Sequence, residues 1–148
     1  MLVLSIALSG CTAVRIGKQE SETKTLQELG ILYSSGNYSL EASCTGYVTS
    51  GQTAVCLYIP VAKRFAEGQT VTVLSVENAA LRVDGRYIVG NQVDLTPYIA
   101  YAKVMNDGAV LYVRLENLDK WIGSDNKPVI NNELLGGTVD IRFTVQDP

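Results

Sequence analysis

Apolar and polar residues alternate with a period of two along most of the chain, the pattern of strands that bury one face. The clearest case is the C-terminal stretch, where Val139, Ile141, Phe143 and Val145 alternate with Thr138, Asp140, Arg142 and Thr144. It reads as a strand with one wet side. Upstream, PYIAYAKVMNDGAVLYVRLE folds back at Asp107-Gly108, placing Ala100, Ala102 and Val104 on one face with Ala109, Leu111, Val113 and Leu115. That face is the expected core. Asp84-Gly85 separates Leu81-Arg82-Val83 from Arg86-Tyr87-Ile88-Val89, and Asp-Gly is the preferred pair for a type I′ turn, which sets Leu81 facing Ile88. Thr70 to Val76 is another strand, whose phase slips at Leu74, the mark of a bulge or of burial on both faces.

Little else departs from strand grammar. KTLQELGIL, residues 24 to 32, predicts a short helix after a polar loop from Lys18 to Lys24. A longer connection runs from Asn117 to Asn132 through Trp121, Gly123, Asp125, Asn126 and Pro128. Around Ser50-Gly51, a two-residue loop sets Ala42 opposite Ile59, Cys44 opposite Leu57 and Leu40 opposite Val61. Cys44 and Cys56 then point to opposite sides of the sheet as free thiols; a three-residue loop would set them opposite each other, as for a disulfide, but would pair Leu40 with Pro60 and Ser43 with Leu57, so the free thiols are favoured. Some eight or nine strands at this spacing predict an all-β domain, an antiparallel β-sandwich of jelly-roll or Greek-key type. The domain covers residues 25–148, with residues 1–24 as an N-terminal strand or arm of the same sheet.

The opening MLVLSIALSGC admits two readings. Leu8-Ser9-Gly10-Cys11 fits the box at which bacterial lipoprotein signals are cut, with Cys11 as the lipidated residue. Against this, no Lys or Arg precedes Cys11, whereas Leu2, Leu4, Ile6 and Leu8 alternate with Val3, Ser5 and Ala7 as in a strand. The strand reading is favoured.

Composition narrows the function. The chain has 148 residues, enough for one domain with its own core, and a net charge of −3 with Lys and Arg scattered singly. Nothing offers a phosphate backbone a basic stripe, so nucleic acid is not an expected partner. With no His at all, Ser-His-Asp and Cys-His catalysis are excluded. The three cysteines, Cys11, Cys44 and Cys56, lack the paired short spacings of a zinc site. No carboxylate spacing forces an acid-base pair across a cleft, and no cofactor is implied.

Binding is better served. Outside the expected core, the Asp107-Gly108 hairpin carries Tyr101, Lys103, Met105, Val110, Tyr112 and Arg114, with Lys103 opposite Tyr112 and Tyr101 opposite Arg114. Such cross-strand pairs stabilise an amphipathic sheet, and the same tyrosines make a flat platform for a glycan or a protein. The Trp121 loop, with Asp119, Asp125 and Asn126, holds oxygen atoms for a cation or a sugar but lacks the ordered spacing of a calcium loop.

LYIPVAKRFAEGQTVTVLSV, followed by LRVDGRYIVG, VDLTPYI and NDGAVLYVRL, resembles a β-domain recurring in structural proteins of phages and prophages of gut and related bacteria. The likeness covers roughly residues 45 to 145 and rests on strand grammar, with no catalytic motif to carry over. It implies a non-enzymatic virion part, such as a fibre, baseplate, receptor-binding or capsid-decorating module. Such a part is homo-oligomeric, trimeric or higher, and meets other virion proteins and a host surface glycan or protein. The alternative is a bacterial lipoprotein with an extracytoplasmic β-sandwich, held at a membrane only through lipid on Cys11.

Overall fold

The computed structural model describes residues 21–49, 53–88, 90–118 and 133–148. Seven strands run through them: β1 (Gly36–Thr49), β2 (Ala54–Pro60), β3 (Thr70–Val83), β4 (Arg86–Tyr87), β5 (Ile99–Met105), β6 (Val110–Leu115) and β7 (Leu134–Gln146). The all-β antiparallel class expected from the alternation is what forms. All seven strands belong to one hydrogen-bonded sheet in the order β4-β3-β7-β1-β2-β6-β5, every pair antiparallel. The sheet curls until β3 approaches β5, with the short 3-10 turn Thr96–Tyr98 beside β3.

Local turn chemistry sets the hairpins where the sequence placed them. Asp84 and Gly85 both have positive φ, +50° and +78°, and Val83 pairs with Arg86 while the Ile88 amide donates to the Leu81 carbonyl. Asn106, Asp107 and Gly108 share the left-handed region, and Val104 faces Leu111 as expected. The slip at Leu74 is a bulge: β3 changes register on β7 between Val73 and Ser75, leaving Leu74 exposed. A second shift between Glu77 and Ala80 lets the strand continue, so two expected strands are one of fourteen residues.

The β1–β2 hairpin corrects the expected register. Pairing ends at Thr49↔Ala54, so four residues intervene and Gly46, not Cys44, stands opposite Leu57. The reason is steric. A Cβ at position 46 would lie 2.0 Å from the Cys56 carbonyl oxygen, so only glycine fits where the strands bend this close. The shift is by two, which preserves the faces. Cys44 and Cys56 lie on opposite sides and are free, buried thiols.

The inner face holds the core. Val55, Leu57 and Ile59 of β2 meet Leu115, Val113 and Leu111 of β6, while Ile141 and Phe143 of β7 back onto β1. Each is at most 1% exposed, which is where most hydrophobic stabilisation resides. At one end, Tyr33 stacks on Phe65 with centroids 4.9 Å apart and meets Tyr38 and Phe143 edge-on. Residues 21–28 are helical, including part of the segment read as a loop. The helix stops at Gly30 (φ +78°), whose amide donates to the Gln27 carbonyl while that of Ile31 donates to Leu26, a Schellman closure. The two N-terminal strand expectations, over residues 2–8 and 12–16, lie outside the described residues.

Candidate functional site

Two cross-strand rows cover the outer face of β1, β2, β6 and β5. One runs Tyr47, Cys56, Arg114, Tyr101; the next runs Thr45, Tyr58, Tyr112, Lys103. Antiparallel neighbours directly opposite are close enough for their side chains to touch. The four tyrosines therefore form a chain of rings: centroids are 6.2 Å apart for Tyr47–Tyr58, 5.3 Å for Tyr58–Tyr112 and 6.0 Å for Tyr101–Tyr112.

Cys56 is the floor of this arrangement and is fully buried. The Tyr112 hydroxyl donates to its Sγ at 3.0 Å, and Arg114 Nη1 donates to it at 3.5 Å. Arg114 Nε is paired with the Glu116 carboxylate, which raises the guanidinium pKa further. Burial, then the hydrogen bond to Cys56, pushes the Tyr112 phenol well above its ordinary value. Tyr47 is pushed up to about 12, first by its hydrogen bond with Cys56 and then by the one with Tyr58. Both stay neutral phenols at physiological pH. Lys103 Nζ lies 5.2 Å from the Tyr112 ring centroid, a cation over a ring face.

The register of the expected face is as the sequence placed it, and Tyr101, Lys103, Tyr112 and Arg114 come together. Two details differ. Tyr112 is buried, not a wet platform residue, because Tyr58, Tyr101 and Lys103 surround its ring. Arg114 turns to Glu116 and Cys56, since a carboxylate holds a guanidinium more strongly than a ring edge does. Tyr101 remains 48% exposed, and Tyr58 and Tyr47 are half-buried. Those last two were missed because they lie on β2 and its neighbour β1, which reach β6 only through the long-range β2–β6 pairing. Trp121, Asp119, Asp125, Asn126 and Cys11 lie outside the described residues.

Other groupings carry less. Glu41, Asp140 and Glu77 form an acidic row across β1, β7 and β3, but Asn78 donates to Asp140 at 2.7 Å and Arg142 pairs with Glu77 at 3.7 Å. Among the described residues no cluster of Cys, Asp and Glu is set to hold a metal ion. An open groove of about 500 Å³ lies where Phe65 and Gln69 meet Val104 and Gly108. The face as a whole offers stacking, hydrogen bonding and two cations, Lys103 and the Glu116-paired Arg114, with the Cys56 sulfur sealed beneath.

Comparison with known proteins returns no match: no family model fits the chain, and no curated protein or solved structure shows significant similarity to it.

Proposed function

We propose that the chain is a non-enzymatic structural or adhesive domain of a bacteriophage particle, a homo-oligomeric fibre, baseplate, receptor-binding or decorating part. It meets other virion proteins or a host surface glycan or protein through the outer tyrosine face. One observation carries this reading: four tyrosines from four adjacent strands are held in a continuous row on the outside of the sheet. Tyrosine gives a large, rigid contact surface with a polar tip, at low cost in conformational entropy. A row fixed by cross-strand pairing and by a buried sulfur is already ordered before a partner arrives.

The second reading, a lipoprotein lipidated at Cys11, is favoured by the Leu8-Ser9-Gly10-Cys11 box. Intact mass of the chain taken from purified particles and from membranes of the native source separates the two. A chain in particles that retains residues 2–10 and carries no lipid supports the virion reading. A chain in membranes that begins at Cys11 with diacylglycerol attached overturns it.

A further inference from the structure

The row through Lys103, Tyr112 and Tyr58 does not stop at Thr45. Thr45 pairs with Gly136 of β7, Gly136 with Arg82 of β3, and Arg82 with Tyr87 of β4, so one line of outward positions crosses all seven strands. Towards each end of it a cation lies over a tyrosine ring. Lys103 Nζ is 5.2 Å from the Tyr112 centroid, and the Arg82 guanidinium is 4.6 Å from that of Tyr87, to whose hydroxyl Arg82 Nη2 also donates. Neither Lys103 nor Arg82 has a carboxylate partner among the described residues. The acidic row of Glu41, Asp140 and Glu77 lies four residues further along β1 from Thr45. A chain with a net charge of −3 thus carries a line of rings and cations with no carboxylate in it.

We propose that this line binds an acidic polysaccharide laid across the strands, with its acid groups on Lys103 and Arg82; the inference rests on the reading of the outer tyrosines as a contact surface. Three observations favour a glycan over a peptide. First, β7, β1, β2 and β6 are each hydrogen-bonded on both sides, so the middle of the face has no open backbone edge to which a peptide strand could add. Second, the face presents ring faces and hydroxyls. The negative face of a tyrosine ring attracts the polarised C–H groups of a pyranose, while phenol and Thr45 hydroxyls pair with its own. Third, adjacent strands are ~4.8 Å apart, close to the repeat of an extended β-linked hexose chain, so successive sugars meet successive strands over the roughly 24 Å from Arg82 to Lys103. Gly136, with no side chain, leaves room for a sugar between Arg82 and Thr45. Charge then sets the class, because exposed cations without an internal partner give charge-assisted bonds to an anionic chain and none to a neutral one.

Titration calorimetry of the full chain tests it, with oligomers of polymannuronate, hyaluronan and polysialate, the carboxyl-reduced neutral form of each, and polyglutamate. At least one acidic glycan should bind about ten-fold or more tighter than its neutral form. Arg82→Gln, Lys103→Gln and Tyr101→Ala should each weaken that binding about five- to ten-fold, while Lys63→Gln, which removes a cation over Tyr33 at the end of the core, leaves it unchanged. No binding of any acidic glycan, or equal binding of the neutral forms, overturns the inference while leaving the tyrosines as a contact surface for another partner. Tighter binding of polyglutamate overturns it too and assigns the face to an acidic protein. Acidic-glycan binding that survives all three variants moves the contact off this face, and counts against the underlying reading as well.

Discussion

The Tyr112 hydroxyl donates to Cys56 Sγ at 3.0 Å from the neighbouring strand, on the side of the sheet away from the core. The pair belongs to a wider set, since the Tyr112 hydroxyl also hydrogen-bonds Tyr101. Tyr112→Phe removes a donor from a weakly accepting sulfur and is expected to cost about 0.5–1 kcal/mol. Cys56→Val keeps the volume and removes that acceptor while the Tyr112 hydroxyl keeps its hydrogen bond with Tyr101, so it too is expected to cost about 0.5–1 kcal/mol. The double variant costs less than the sum, which denaturant titration of the four chains measures.

Neighbouring glycines in β7 are expected to differ sharply. A Cβ at Gly137 would lie 1.9 Å from the Ala80 carbonyl oxygen, whereas one at Gly136 comes no nearer than 3.8 Å to that of Cys44. Gly137→Ala should destabilise the fold by about 3 kcal/mol or more, since backbone must move. Gly136→Ala should leave the thermal midpoint nearly unchanged. Equal midpoints for the two variants would contradict the close approach of β3 and β7.

Alkaline pH should loosen the fold through Cys44. Burial pushes its thiol from 9.0 up to about 11, so the folded state holds the proton more tightly than the unfolded chain. Its contribution is complete below pH 9 and is lost as the pH rises through 11, by about 2–3 kcal/mol. Tyr47 and Tyr112, both raised, act with the same sign at higher pH. Cys44→Ala should flatten the fall in denaturant midpoint between pH 9 and 11.

Gln69 clasps the N-terminal helix region to the end of the chain. Its Nε2 donates to the Tyr33 carbonyl and to Asp147 Oδ1, both at 2.8 Å, and its Oε1 accepts from the Ala66 amide at 2.7 Å. Gln27 Nε2 reaches the same two acceptors. Gln69→Ala is expected to speed amide exchange in residues 26–35 several-fold while leaving β2 and β6 unaltered. A uniform change across the sheet would show that the clasp is not local.

What could be read in advance was local. Asp84-Gly85 and Asp107-Gly108 fix their hairpins because the turn residues themselves accept positive φ, and β7 announces its two faces by alternation. The bulge at Leu74 was visible as a break in phase. Partner choice was not, because it depends on packing between distant segments: nothing in β1 says that it lies between β2 and β7. The β1–β2 register was off by two because the steric demand on Gly46 comes from the bend of the assembled strands. For the same reason half of the tyrosine row was legible from its own hairpin, while Tyr47 and Tyr58 join it only through β2.

The central claim, that the outer tyrosines are a contact surface, is tested most directly by nitration footprinting of the free chain and of the chain in its native assembly. Tyr101 and Tyr58 should be modified in the free chain and protected in the assembly, with Tyr112 protected in both. Equal modification of Tyr101 and Tyr58 in the two states would contradict the account.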